Sequence, residues 1–178
     1  MINRFTNIIK YLLGIGICLG IRFLPFRAPN VEPVMGTLMP FAKRFGYLSG
    51  FLFGFVNIFL YDILTGKIGM WTWVTACSYG LLGLAAGLFF KNRKGSPANF
   101  FAFSVIGTIA YDAITGLTIG PVFYGQPFLN ALTGQIPFTA LHLLGNGVFA
   151  LAISPLIDRF IVSNKSIELA VIREKFAT

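Results

Sequence analysis

The sequence carries a carboxylate twice within the same short motif. The pattern YDxxTG occurs at residues 61–66 and again at 111–116, and it places Asp62 and Asp112 in apolar surroundings. An ionisable side chain inside an apolar segment is energetically costly and by default marks a functional site. We therefore expect at least one of the two aspartates to contact a substrate. The structural alternative is that each carboxylate only binds loop amides or pairs with a neighbouring cation, namely Arg22, Arg27 or Lys67.

The repeat also predicts local structure around each carboxylate. Gly66 and Gly116 each follow an aspartate by four residues. A glycine in this position is typical of a helix that ends in a left-handed cap. The run 61–73 lies between two long apolar segments, so we expect it to be the tip of a helical hairpin. Both carboxylates would then lie in the last turn of a helix, close to the membrane boundary.

A second set of polar residues follows helical spacing near the C-terminal end of the chain. Gln135, Thr139, His142 and Asn146 recur at i, i+4, i+7 and i+11, which places them on one face of a helix. His142 is the only histidine. It is expected either to contact the substrate or to be a buried imidazole that pairs with a neighbour such as Asp112.

Two more stripes and several aromatic residues complete the predicted pocket. Thr72, Thr75 and Tyr79 share one helix face, and Asn57, Tyr61 and Thr65 share another. Trp71, Trp73 and Tyr124 lie near the same boundary, although aromatic residues also populate the interfacial belt of membrane proteins. The residues that we expect to bind substrate are Glu32, Asn57, Tyr61, Asp62, Trp71, Trp73, Thr75, Tyr79, Tyr111, Asp112, Tyr124, Thr139, His142 and Asn146.

The composition is that of an integral membrane protein. Hydrophobic residues make up 56% of the chain and charged residues 11%, with a mean hydropathy of +0.76. An ordinary soluble domain has about 25% charged residues. Because a bilayer crossing takes about 20 helical residues, 178 residues allow about six crossings. We predict an all-α membrane protein with six transmembrane helices, in which Cys18 and Cys77 are small core residues rather than disulfide or metal ligands.

The apolar segments predict where these helices lie. The segment between Pro33 and Pro40 is too short to cross alone, because ten residues of helix rise only about 15 Å. The first segment could instead be a signal peptide, but Arg22 stands where a cleavage site would be expected, which favours a retained helix. Residues 117–135 are rich in glycine and aromatic residues and are expected to form a long loop that acts as a lid or a binding element. The predicted helices are 8–25, 33–42, 46–65, 71–90, 98–116 and 136–157, within a domain of residues 1–160 followed by a cytoplasmic tail of residues 161–178.

Basic residues predict the orientation. With the N-terminus in the cytoplasm, eleven of the 14 lysines and arginines fall on the inner side, and only Arg22, Arg27 and Lys67 fall on the outer side. The positive-inside rule therefore predicts that both termini are cytoplasmic and that the predicted pocket opens outward. The net charge of +8 is distributed over membrane-flanking turns, so we expect no nucleic-acid partner.

Small residues recur every four positions along two of the predicted helices. Such faces allow close helix approach, either between helices of one chain or between this chain and a partner subunit. The candidate docking residues are Gly16 and Gly20 on the first helix and Gly46, Gly50 and Gly54 on the third.

The order of several motifs resembles the substrate-binding S component of energy-coupling factor (ECF) transporters. The resembling stretches are NVEP from Asn30, FGYLSGFLFGF from Phe45, LTGKIGMWTW from Leu64 and YGLLGLAAGL from Tyr79, and the resemblance covers about residues 8–160. It implies a prokaryotic inner-membrane protein with a vitamin-binding pocket to which Asn30 contributes. It also implies a transmembrane coupling subunit and two cytoplasmic ATPases as partners. The family docks that subunit through AxxxA faces, whereas this chain has glycines there.

These observations favour a transport subunit without enzymatic activity. The chain has no GxxxxGK[ST] loop for ATP and no HExxH, nucleophile elbow or cysteine cluster, so we expect no catalytic residue, metal or cofactor. The first hypothesis is the substrate-binding subunit of an ATP-driven importer for a vitamin or related micronutrient. The second is a self-sufficient, proton-coupled secondary transporter in which Asp62, Asp112 and His142 relay protons. A third, a membrane scaffold, would leave Asp62→Asn without phenotype.

Overall fold

The computed structural model describes residues 7–26 and 32–168, and in these ranges the chain is entirely helical apart from its turns and short connections. Residues 1–6, 27–31 and 169–178 lie outside the described ranges, and so do Asn30, Arg27 and most of the predicted tail. The helices run alternately up and down. They are α1 (Ile8–Arg22), α2 (Pro33–Phe45), α3 (Tyr47–Leu64), α4 (Met70–Phe90), α5 (Pro97–Gly116) and α6 (Phe128–Val148).

The short second helix is confirmed, but it is longer than predicted. Pro33 occupies its first turn, where the missing N–H is not needed, and Pro40 lies inside it. The helix continues through Lys43 and Arg44 to Phe45, beyond its predicted end at residue 42, and is followed by Gly46 with a φ of 90°. Because only glycine adopts this φ without strain, the chain turns here directly into α3. Helix α2 lies at the centre of the bundle, with ten consecutive buried residues from Pro33 to Ala42.

Helices α3 and α4 form the predicted hairpin and pack closely through glycine. A Cβ on Gly50 would overlap the carbonyl oxygen of Gly83, and a Cβ on Gly54 would overlap that of Tyr79. Close backbone approach of this kind needs small residues at the contact. The tip also matches the prediction, because Gly66 has a φ of 66° directly after the helix.

The predicted loop 117–135 is wrong. Residues Ile119–Phe123 form a π-helical turn that extends α5, and α6 begins at Phe128, so only residues 125–127 are neither helical nor in a turn. Backbone groups at membrane depth must be hydrogen-bonded internally, which disfavours an open loop here. Gly116 does not adopt the left-handed conformation either. A Cβ at this position would overlap the Gln135 side chain, so this glycine makes room for α6.

Helix α6 is also longer than predicted. Turns of π-helix at Phe149–Ile153 and Asp158–Val162 continue it, so the rod extends from Phe128 to Val162 rather than from 136 to 157. Within the described residues, four helices are long and apolar enough to cross a bilayer: Tyr47–Leu64, Met70–Phe90, Pro97–Phe123 and Phe128–Val162. Helices α1 and α2, with 15 and 13 residues, are shorter than this length. The six-crossing topology therefore stays a prediction.

The two ends of the bundle differ in charge. At one end, which we call the basic end, the Lys10 ammonium group is fully buried and donates to Val162 O and Glu168 Oε1 at 2.9 and 3.0 Å. Lys43 Nζ pairs there with Asp158 Oδ2 at 2.7 Å. These contacts tie α1 and α2 to the end of the α6 rod. The opposite end, which we call the site end, carries Glu32, Asp62, Asp112 and the end of α1.

Candidate functional site

A buried cluster of polar and aromatic side chains lies at the site end, where α4, α5 and α6 meet. His142 Nδ1 is 2.8 Å from Asp112 Oδ1, and both side chains are at least 95% buried. The Tyr111 ring contacts the imidazole edge-on, with centroids 6.0 Å apart, and also packs against Tyr79 at 4.4 Å. One of the two predicted roles of His142, a buried imidazole paired with Asp112, is therefore present in the structure.

The polar stripe of α6 continues below this pair. Asn146 lies one turn beyond His142, is buried, and donates from Nδ2 to Thr108 Oγ1 at 2.8 Å. Thr139 accepts from Gln135 Nε2 at 3.2 Å. The helical spacing thus predicted the shared face correctly, and this face points towards α5.

The first copy of the repeated motif is tied to the start of α4. Thr72 Oγ1 donates to Asp62 Oδ2 at 2.6 Å and accepts from the Gly69 amide at 3.1 Å. The Asp62 carboxylate thereby connects the last turn of α3 to the first turn of α4. This arrangement resembles the structural alternative, in which the carboxylate holds the hairpin tip. The two repeats differ in this respect, because Asp112 pairs with a different helix.

A cation completes the site end. The Arg22 guanidinium group lies over the Tyr61 ring at 3.8 Å, and its Nε is 3.6 Å from Glu32 Oε1. The Arg22–Glu32 pair therefore lies beside Tyr61, the residue directly before Asp62. Five helices, α1 and α3 to α6, thus contribute polar or aromatic side chains at the site end, together with Glu32 directly before α2.

Several buried polar atoms in this region have no hydrogen-bond partner among the described residues. They include the Tyr79 hydroxyl group, Asp112 Oδ2 and Asn146 Oδ1. Asn57 is fully buried on α3, where its Nδ2 donates to Phe53 O, and its Oδ1 is also without a partner. A buried polar group without a hydrogen bond costs about 1–3 kcal/mol. Most of these atoms are oxygen acceptors, so they would be satisfied by a ligand that offers N–H or O–H groups.

Other predicted site residues lie away from this cluster. Trp71, Trp73 and Tyr124 are 39%, 51% and 61% exposed. Trp71 Nε1 donates to Lys67 O, and Trp73 packs on Phe59, so both sit on the outer surface of the hairpin. Thr75 donates to the carbonyl oxygens of Trp71 and Thr72 within its own helix. The exposure of Trp71, Trp73 and Tyr124 is that expected of interfacial-belt residues, and a substrate contact by Thr75 stays a prediction.

The predicted docking glycines separate into three groups. Gly50 and Gly54 pack against α4, which is one of their two predicted uses, close contact between helices of the same chain. Gly46 is the turn between α2 and α3. Gly16 and Gly20 are exposed on α1, with no atom within 4 Å of an added Cβ. Only these two remain proposed docking residues on an open helix face.

Sequence reasoning missed three contributors to the site end. Thr108 lies four residues before Asp112 on the same face of α5, so its spacing was a usable signal. Thr72 had been placed on a polar stripe but not in the site. Arg22 had been considered only as a partner for the aspartates, and nothing in the sequence indicates that it stacks on Tyr61. Cys77, expected in the core, is exposed, whereas Cys18 is buried as predicted.

Comparison with known proteins gives a family match and several relatives. Residues 11–159, more than half of the chain, match the family described as ECF-type riboflavin transporter, S component. A UPF0397 protein of Vibrio atlanticus (strain LGP32) is 32% identical over 118 residues, covering 61% of this chain and 63% of the relative. One from Aliivibrio fischeri (strain MJ11) is 29% identical over 150 residues, covering 78% and 75%. One from Staphylococcus aureus (strain JH9) is 26% identical over 132 residues, covering 69% and 70%. No solved structure matches the chain.

Proposed function

Because the chain belongs to the family of ECF-type riboflavin transporter S components, we propose that it captures a vitamin or related micronutrient outside the cell for an ATP-driven importer. The family assignment makes the chain a substrate-binding membrane subunit of an ECF transporter rather than an enzyme. The substrate, the direction in which the site opens and the source of energy are the proposed parts.

The observation that carries the proposal is the convergence of unsatisfied acceptors and aromatic rings at the site end. Tyr79 and Tyr111 offer ring surfaces, and Asp112 Oδ2 and the Tyr79 hydroxyl group lack partners beside them. Flat heterocycles bind between aromatic rings and are oriented by a few polar contacts. A ligand of this kind would satisfy the buried oxygens through its N–H or O–H groups. Because these atoms are buried, we propose that neighbouring helices separate slightly when the ligand enters.

The orientation follows from charge. Among the described residues, the basic end carries Lys10, Lys43, Arg44, Lys91, Arg93, Lys94, Arg159 and Lys165, whereas the site end carries Arg22 and Lys67. The positive-inside rule supports placing the basic end in the cytoplasm. The site then faces outward, both termini are cytoplasmic, and six helices, including the short α1 and α2, cross or enter the membrane.

The partners follow from the family and from the sequence. The chain lacks a phosphate-binding loop, so hydrolysis of ATP must occur on another subunit. We propose that a transmembrane coupling subunit contacts the open face of α1 at Gly16 and Gly20. Two cytoplasmic ATPases would act through that subunit.

Riboflavin is the first compound to test, because the family description names it and its ring system suits the tyrosine surfaces. The purified chain should bind riboflavin and quench its fluorescence, since stacking on aromatic rings quenches a flavin. Native mass spectrometry of the freshly purified chain should detect a retained small molecule. Should riboflavin not bind, the mass of the retained compound identifies the substrate. Absence of any retained or added ligand across flavins, pterins and thiamine would contradict the proposal.

The Asp112–His142 pair also supports a second candidate, the proton-coupled secondary transporter. Buried carboxylate and histidine groups within hydrogen-bond distance, here 2.8 Å, are typical of the proton relays of membrane transporters. Proteoliposomes containing only this chain distinguish the two functions. Uptake driven by a proton gradient without other subunits would favour the secondary transporter. Uptake that requires added ATPases and ATP would favour the importer.

A further inference from the structure

A groove at the basic end, away from the candidate site, combines apolar walls with an unpaired cation. It has a volume of about 610 Å³ and lies between the start of α1, at Asn7 and Tyr11, and the turn from α2 into α3, at Arg44 and Ser49. A second cavity of about 210 Å³ shares Tyr11 and Ser49 with it and continues along α1 and α3. The continuation is lined by apolar side chains except for the Tyr11 and Ser49 hydroxyl groups.

Arg44 is distinguished from its neighbours by its lack of an acidic partner. Lys10 is paired with Glu168 and Lys43 with Asp158. Within residues 7–26 and 32–168, Arg44 makes no ion pair, and its side chain is exposed at the mouth of the groove. The guanidinium group presents several N–H donors in a geometry that suits a phosphate group.

Two further features at the same mouth favour an anion carrying a hydroxyl group. Helix α3 begins at Tyr47 without a side-chain cap, so the amides of its first turn have no acceptor in the helix. Asn7 precedes α1, lines the groove and makes no cap bond, and among the described residues its buried Oδ1 has no hydrogen-bond partner. Arg44 and the α3 amides would bind a phosphate, and the Asn7 oxygen would accept from a nearby hydroxyl group when its side chain turns towards the groove.

We propose that this groove binds one anionic phospholipid of the phosphatidylglycerol class. Its phosphodiester would contact Arg44 and the start of α3, and a hydroxyl group of its glycerol headgroup would donate to Asn7. One acyl chain would follow the apolar continuation past Ile15, Leu52 and Val56. Charge complementarity at the mouth favours this ligand over a zwitterionic lipid, and the long apolar continuation favours a lipid over free phosphate.

The proposal is tested on the full chain with phosphatidylglycerol and phosphatidylcholine of identical acyl chains. Native mass spectrometry should show one phosphatidylglycerol retained in preference to phosphatidylcholine. Arg44→Gln should lower the affinity at least about fivefold, the effect expected for one basic residue at an anionic surface. Leu52→Trp, which fills the apolar part of the groove, should weaken retention as well. It provides a second test should Arg44→Gln fail to fold.

Arg93→Gln is the matched control, because Arg93 lies at the same end but donates to Phe89 O and does not line the groove. It should leave phosphatidylglycerol retention unchanged. Equal losses in both arginine variants, or equal retention of the two lipids, would overturn the proposal in favour of general attraction to the membrane. Stabilisation by soluble glycerol phosphate to the same extent would replace the lipid with a free phosphate. If Arg44→Gln no longer binds the coupling subunit but retains the lipid as wild type does, the groove is a protein interface rather than a lipid site.

Discussion

Replacing Asp112 with asparagine separates its structural contact from its proposed contact with substrate. Asparagine has the same shape and keeps one oxygen, so it can still accept from His142 at the position of Oδ1, 2.8 Å away. At the position of Oδ2, which has no partner, an NH₂ group replaces an acceptor. The fold should therefore survive, whereas a ligand N–H or O–H directed at this position meets a donor.

The size of the effect follows from the bond that is lost. A hydrogen bond to a charged group contributes about 1.5–3 kcal/mol. Since 1.4 kcal/mol corresponds to a factor of ten, Asp112→Asn should raise the Kd about 10- to 150-fold. The assay is a titration of the purified variant with riboflavin, or with the compound identified by native mass spectrometry, together with the thermal unfolding midpoint.

The matched control is Asp158→Asn, which alters a carboxylate paired with Lys43 at the opposite end. The Kd of this variant for the same ligand should stay within about twofold of wild type. Asp158 lies at the opposite end of the bundle from the site, so screening by salt leaves its charge with little effect on ligand binding. If Asp112→Asn is folded and binds as tightly as wild type, then Asp112 only positions His142 and the reasoning is refuted. An equal loss of affinity in Asp158→Asn would show that the effect is general rather than local.

Three further changes test the packing and pairing that hold the site. Gly54→Ala should destabilise the chain by about 1–3 kcal/mol, because the new Cβ overlaps the Tyr79 carbonyl oxygen. The control, Gly16→Ala on the open face of α1, should be neutral. Thermal unfolding in detergent compares the two variants. Thr72→Val should cost about 1–3 kcal/mol by leaving Asp62 Oδ2 without its donor, and a serine at this position should restore the stability. Lys10→Met should cost about 3–5 kcal/mol, because it removes one partner of a buried ion pair together with the bond to Val162 O, and an unchanged unfolding midpoint would contradict that assignment.

The presence of the helices and the position of their polar faces were predictable from the sequence. Both depend on local composition and on the spacing of polar and apolar residues along the chain. The apolar segments located α1–α5 to within a few residues. The i, i+4, i+7 spacing on α6 correctly placed His142 and Asn146 on one face. The family resemblance, drawn from the order of short motifs, is confirmed by the match over residues 11–159.

The predictions that differ from the structure concern residue types that can take several structural roles. Glycine and aromatic residues between 117 and 135 are typical of a loop in water, but at membrane depth the backbone closes its own hydrogen bonds in helical turns. Gly116 was expected to adopt a left-handed cap at the end of α5, yet its φ is not positive and it provides space for Gln135. Gly54 could have packed within the chain or docked a partner, and it packs against α4. A glycine has the same sequence signature in each of these roles.

The sequence by itself therefore determined that the chain is a helical membrane protein, where most of its helices lie and which of their faces are polar. These properties depend on the composition of short segments and on the spacing of polar residues, because residues three or four positions apart lie on the same face of a helix. Only the tertiary structure decided which polar groups meet: Asp112 with His142, Asp62 with Thr72, and Arg22 with Glu32 and Tyr61. Those pairings depend on how α1–α6 pack against each other, and two copies of one motif acquire different partners because their surroundings differ.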